Sequence, residues 1–273
     1  MASYRPVTSV LRCLDVLAAV NSLSGRASLA EIHRVVDLDK ATILRMLETL
    51  AHAGYVVRDD DTRLYHAAGK TLQLSAGYRA HNAVGAVVSR RLGDFRRRIG
   101  WPSDVAIRDG DAMIVVETSR EAGPIFVNRG PGYRAPMLAA SLGLAYTAFC
   151  AAAERAEILE AAARDPSPWN DVARDRLRAE ALFAGIRAAG YATMNPAYMA
   201  RGYDNRISSV GVPIRDGATI FACINVLYLR SALSAEDAAA ALVPPLQEIA
   251  AALAADLARQ SAPFDTSLRS CSG

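Results

Sequence analysis

The stretch from Ser28 to Gly54 most narrows what this chain can fold into, because it carries helix start and stop signals in a fixed order. Ser28 stands three residues before Glu31, the capping-box spacing, and opens a helix to residue 36. Asp39 then precedes KATILRMLETL and suits the N-cap of a helix over 40–53, which Gly54 ends by supplying a left-handed residue. Upstream, Val10, Leu11, Leu14, Leu17 and Ala18 recur at helical spacing and predict a first helix over 9–21. A tight turn between the second and third of three short helices points to a helix-turn-helix. The β-prone runs 55–58 and 63–66 flank Asp59-Asp60-Asp61-Thr62, so a hairpin follows. Helix, helix, helix, hairpin makes a winged module, ending near residue 68.

In the third helix, Ile43, Leu44, Leu47, Leu50 and Ala51 fall within one arc at about 100° per residue, the core face. The opposite arc holds Thr42, Arg45, Met46 and Thr49, with Ala41 toward its edge. A helix fits the major groove, where Arg can donate two bonds to guanine and methyl groups touch thymine. Arg45 is the expected base reader. Lys40 in the first turn suits a phosphate, and Ser28, Arg58 and Arg63 complete the DNA-facing set. Three adjacent wing aspartates oppose a phosphate backbone, which the two wing arginines must offset.

With 273 residues the chain is long enough for two domains, and 52% hydrophobic residues can build a core. No stretch approaches the roughly 20 apolar residues of a membrane span, and no signal-peptide core is visible, so a cytoplasmic protein without a membrane partner is expected. A net charge of +3 decides nothing about nucleic acid. Cys13, Cys150, Cys223 and Cys271 are far apart and suggest neither zinc nor disulfides; no cofactor is expected.

Helical spacing resumes over 69–91, the expected linker helix. Strands follow at 104–107, 112–117 and 125–127, then helices at 139–151, 154–164 and 171–189. The runs 207–214 and 218–228 surround Asp216-Gly217 and should pair as a hairpin. Ser234 opens an alanine-rich helix to about residue 260, expected to break at Pro244-Pro245. The predicted fold is α/β in the α+β sense: a DNA-binding domain at 1–68, a linker at 69–91, a larger domain with antiparallel sheet at 92–262, and a tail at 263–273.

RPVTSVLRCLDVLAAV, SLAEIHRVVDLDKATILRMLETLAHAGYVVRDDDTRLYHAA and KTLQLSAGY closely resemble the N-terminal module of IclR-type transcriptional regulators. Similarity continues through PMLAASLGLAYTAFC, AAGY, ISSVGVPIRDG and ATIFACINVLY. WPSDVAIRDGDAMIVVETS looks most like activators of phenylpropionate or related aromatic-acid catabolism. The resemblance implies a GAF-like effector domain, homodimers or tetramers, double-stranded operator DNA, RNA polymerase as a further partner, and a small organic acid as effector. It places pocket residues at Ser141, Leu142, Gly143, Met194, Arg206, Asn225 and Leu227. Where many relatives carry His and Lys, this chain has Leu138 and Leu144, which implies a greasier pocket suited to an aromatic acid.

Read from the residues themselves, Arg206 could pair a carboxylate ligand or simply Asp204. Asn225, inside an apolar run, could meet a ligand hydroxyl or a neighbouring backbone group. Trp101, Met113, Met137, Tyr146 and Tyr203 could line an aromatic pocket or serve as core, and Asp104 could receive a phenol or hold a loop. An enzyme is the rival class, and an interaction protein that does not touch DNA is a third. All four histidines, His33, His52, His66 and His81, precede the larger domain, and no nucleophile or phosphate-binding motif is present.

Overall fold

Three helices form where the sequence signals lie: α1 (Thr8–Ser22), α2 (Leu29–Val35) and α3 (Lys40–His52). The capping box is closed, with the Glu31 amide donating to Ser28 Oγ at 3.3 Å and the Ser28 amide to Glu31 Oε2 at 2.8 Å. Asp39 caps α3 by accepting from the Thr42 amide at 2.9 Å, and Gly54 takes the left-handed conformation at φ +80°. The computed structural model describes residues 5–23, 25–75, 79–119 and 130–261, of which 79–83 and 261 by backbone alone. The chain divides into two compact units, Met1–Arg79 and Ala80–Gly273.

The smaller unit packs Val16, Leu17 and Val20 of α1 and Ile32 of α2 against Ile43, Leu47 and Leu50 of α3. Burying each such side chain contributes about 1.5–3 kcal/mol. Of the stripe that signalled α1, Leu17 faces the core as expected, whereas Val10, Leu11 and Leu14 point outward, each more than 50% exposed. Helix α1 carries apolar residues on both sides, Val10, Leu11 and Leu14 outward and Val16, Leu17 and Val20 inward, and the sequence period alone does not choose which side meets α3. The wing is a three-stranded sheet in the order β1 (Arg26–Ala27), β3 (Tyr65–Ala67), β2 (Val56–Arg58). Strand β1 is too short to show a period in sequence.

The expected linker helix differs in its bounds. A 3₁₀ turn spans Gly69–Leu74, and helix α4 runs over Arg79–Ile99, its Val87, Val88, Leu92 and Phe95 buried in the larger unit. There β4 (Ser103–Asp109), β5 (Ala112–Thr118), β6 (Arg134–Pro136), β7 (Ala192–Thr193), β8 (Ile207–Asp216) and β9 (Thr219–Leu229) form one antiparallel sheet in the order β6-β5-β4-β9-β8-β7. The strand expected at 125–127 and the tail at 263–273 lie outside the described residues. The predicted hairpin is β8–β9, with Asp216 opposite Thr219.

Alternation along the strands gives the sheet two apolar faces. Val105, Ile107, Val210, Val212, Ile224 and Val226 lie under α4 and α9 (Ala235–Ser261). Ala106, Met113, Val115 and Cys223 lie under α5 (Ser141–Phe149) and α7 (Arg176–Ala189). Helix α6 (Ala152–Ala163) follows α5, and α7 begins after a 3₁₀ turn at Pro168–Arg174 rather than at residue 171. Helix α8 (Pro196–Tyr203) escaped sequence reading because it is short and opens on a proline.

Two expectations fail at α9. The helix continues through Pro244-Pro245, because Ala238, Leu242, Val243, Leu246, Ala250 and Leu253 are buried on one side and hold it to the sheet. Its residues Ala235–Gln260 are also long and apolar enough to cross a membrane by length and composition alone, contrary to the reading that no stretch approaches a span. One side of that helix, from Ala238 to Leu257, covers the sheet. Arg98 Nη2 donates to Glu248 Oε2 at 2.9 Å and Arg91 pairs with Asp256, tying α4 to α9. Cys13, Cys150 and Cys223 are free, and burial pushes the Cys150 thiol up to about 11.

Candidate nucleic-acid interface and ligand site

The caps and the buried face of α3 leave one side of that helix in solvent. Lys40, Ala41, Arg45 and Thr49 are exposed, whereas Thr42 and Met46 are half-buried. Met46 leans on the core, so the outer arc is narrower than its sequence spacing suggested. Asp39 accepts from Thr42 Oγ1 at 2.7 Å, and that hydroxyl, with the Thr42 amide, holds the Asp39 carboxyl below the usual carboxylate range. Thr49 Oγ1 donates to the Arg45 carbonyl at 2.7 Å.

The Ser28 hydroxyl is engaged with Glu31, donating to Oε2 at 2.7 Å, so it serves the α2 cap. In the wing turn Asp59 Oδ1 accepts from the amides of Thr62 and Asp61 at 3.1 and 2.9 Å, and Thr62 above all lowers its pKa. Arg58 and Arg63 are exposed on either side of it, Arg63 in the left-handed region at φ +56°. Sequence reasoning missed Lys70: its Nζ donates to the Ala53 carbonyl at 2.9 Å and lies 4.8 Å from the Tyr55 ring centre. It places a cation at the C-terminal end of α3, where the helix dipole favours one. Seventeen residues of separation gave no local signal for it.

In the larger unit the sheet centre brings part of the expected ligand set together. Asp104 lies opposite Asn225, which lies opposite Gly211. The Asp104 amide donates to Asn225 Oδ1 at 2.9 Å, so the backbone alternative for Asn225 is the one realised for that oxygen. Asp104 Oδ1 accepts from Thr118 Oγ1 at 2.6 Å. Ser141 Oγ is 2.7 Å from Ser209 Oγ, at the start of α5. The approach of α5 to β8 is so close that a Cβ on Gly211 would stand 2.9 Å from the Ser141 carbonyl group, and one on Gly143 only 2.4 Å from the Met137 oxygen. Leu142, Met137, Met194 and Leu227 are buried around this centre. Ser209 and Gly211 were missed, although a glycine inside a strand is a sign of close backbone approach.

Other expected members stand apart. Tyr146 OH donates to Glu154 Oε1 at 2.6 Å, and Arg108 pairs with the same carboxylate, so Tyr146 belongs to a polar cluster between α5 and α6. Burial and the Glu154 carboxylate raise its pKa. Arg206 is exposed at the entrance to β8 and forms no ion pair with Asp204 among the described residues, so neither the desolvated guanidinium nor the surface pair is realised. Trp101 is half-buried against the α4 and α9 side. Tyr203 packs edge-on to Tyr198, which in turn meets Trp169 edge-on at 5.2 Å, beside Met194.

Residues 9–60 match the IclR helix-turn-helix domain, and residues 77–255 the C-terminal domain of IclR bacterial transcriptional regulators. The transcriptional regulator SauR of Cupriavidus necator is 23% identical over 151 residues, which cover 55% of this chain. That match spans 60% of SauR's own length. A transcriptional regulator from Rhodococcus sp. RHA1 superposes with a TM-score of 0.65 at 26% identity, covering 93% of this chain and 99% of that one. An IclR homologue from Microbacterium hydrocarbonoxydans, solved with 4-hydroxybenzoate, has a TM-score of 0.65 at 18% identity, covering 92% and 99%, and is similar in fold. With both domain families matched in order over most of its length, the chain belongs to the IclR family of bacterial transcriptional regulators.

Proposed function

We propose that this protein is a DNA-binding transcription regulator of the cytoplasm, acting as a homodimer or tetramer, whose larger unit senses a small organic acid. The observation that carries the DNA reading is α3 itself, capped by Asp39, anchored by Ile43, Leu47 and Leu50, and open along Lys40, Ala41, Arg45 and Thr49. Lys40, Arg58 and Arg63 neutralise phosphates, and Arg45 reads a base edge. Two such helices related by a two-fold axis read two half-sites. The smaller unit, to Arg79, reads DNA, and the larger unit, which α4 opens, senses; RNA polymerase is a further partner.

The acid is aromatic in this reading. The Microbacterium homologue carries 4-hydroxybenzoate, and here Leu138 and Leu144 are apolar and buried beside Ser141, Leu142 and Gly143. Asp104, Asn225, Leu227, Met137 and Met194 surround the same place. Because Arg206 is exposed, the carboxylate is held by the α5 amides and hydroxyl-bearing side chains rather than by that guanidinium. A ligand that prefers one arrangement of the chain shifts operator affinity by its differential affinity.

Gel shifts with upstream intergenic duplexes at rising salt test the DNA role. Affinity that falls steeply with ionic strength and is lost for shuffled duplexes is expected; equal binding of both defeats it. Arg45→Ala removes about 1–3 kcal/mol of sequence discrimination. A rise in Tm with 4-hydroxybenzoate supports the aromatic acid, and no rise across hydroxybenzoates, cinnamates and phenylpropionates removes it.

A further inference from the structure

Two hydroxyl groups flank Arg45 on α3, that of half-buried Thr42 and that of exposed Thr49, and both have their hydrogens committed inside the protein. Thr42 Oγ1 lies 2.7 Å from Asp39 Oδ2, and a carboxylate kept ionised can only accept, so Thr42 must donate. Thr49 Oγ1 lies 2.7 Å from the Arg45 carbonyl, which also can only accept. A hydroxyl has one hydrogen and two lone pairs, so each threonine shows a neighbour lone pairs and a methyl group but no donor. Between them stands Arg45, exposed and purely a donor. The three lie within about 60° of one another around the helix, and Thr42 to Thr49 spans about 10 Å, close to three base-pair steps of about 3.4 Å.

We propose that Thr42 and Thr49 select amino-bearing bases, adenine or cytosine, on the strand they contact, on either side of a guanine taken by Arg45. In the major groove those two bases offer N6 and N4 amino donors, whereas guanine and thymine offer oxygen acceptors that a spent hydroxyl cannot serve. Asp39 is thereby a positioning residue for specificity, since its carboxylate sets the sense of the Thr42 hydroxyl. The assignment rests on the DNA-reading role proposed above.

Selection from a random duplex pool with the full chain, followed by sequencing, tests it. Wild type enriches adenine or cytosine at two positions about three base pairs apart. Thr42→Val keeps the methyl and removes the lone pairs, and it lowers the preference at one position by roughly two- to tenfold. Thr42→Ser keeps the hydroxyl and preserves it. Thr49→Val and Thr49→Ser repeat the comparison at the other position, away from the Asp39 cap. Guanine or thymine selected by wild type at these positions overturns the proposal, as does a preference kept by Val and lost with Ser. A wild type that binds without selecting any sequence overturns instead the DNA-reading role beneath it.

Discussion

The Asp104 amide and Asn225 Oδ1 are joined at 2.9 Å across the β4–β9 ladder, a side chain of one strand accepting from the backbone of the next. Asn225 is 1% exposed, so water cannot replace it as the acceptor. Asn225→Leu strands a buried amide and costs about 1–3 kcal/mol. Urea unfolding with an unchanged slope and a lower midpoint is the expected result.

Gly143→Ala pits two effects against each other. Alanine gains about 1 kcal/mol as a helix former, but its Cβ would meet the Met137 backbone at 2.4 and 2.5 Å. Neither backbone can yield cheaply, and overpacking costs roughly 3 kcal/mol, so the variant loses stability on balance. Differential scanning calorimetry gives the sign directly.

Acid should weaken the smaller unit in a defined direction. Asp39 and Glu31 are both held below their ordinary pKa by hydrogen bonds, Asp39 by the Thr42 hydroxyl first and Glu31 by the Ser28 amide first. Their contribution is complete above the unfolded carboxylate value of about 4 and disappears as pH falls through the lower folded values. Stability therefore stays level from neutral pH to about 5 and drops below about 4. Asp39→Ala makes the acid limb shallower, which thermal melts across pH will register.

Substitutions on α1 and α3 should separate sharply. Leu11, 51% exposed, tolerates Ala with a change inside about 0.5 kcal/mol, whereas Leu47, fully buried, loses about 2–5 kcal/mol on the same change. Equal losses would place the α1 stripe in a buried setting.

Much of the smaller unit was legible because its signals are local. Ser28 and Glu31 are three residues apart, and so are Asp39 and Thr42, so the caps bind within their own helices. The apolar period of α3 chose its buried face for the same reason. The ligand site was legible only in part. Asp104 and Asn225 are joined by strand pairing between distant segments, and the Lys70 clamp on Ala53 likewise closes through space. Arg206 and Tyr146 had suitable chemistry, but strand ends and helix faces sent them to solvent and to Glu154. The α1 stripe marked a helix correctly and said nothing of its orientation.

Helix α9 keeps its course past two consecutive prolines, and the ring nitrogens there have no hydrogen to give. The carbonyls of Ala240 and Ala241, one turn earlier on exposed residues, lose the amide partner four residues on. Each interior proline costs about 3 kcal/mol, a sum that the buried Leu242, Val243 and Leu246 offset at about 1.5–3 kcal/mol apiece. The segment thus borrows its order from the sheet it covers, and cut loose as a peptide it would not keep its coil.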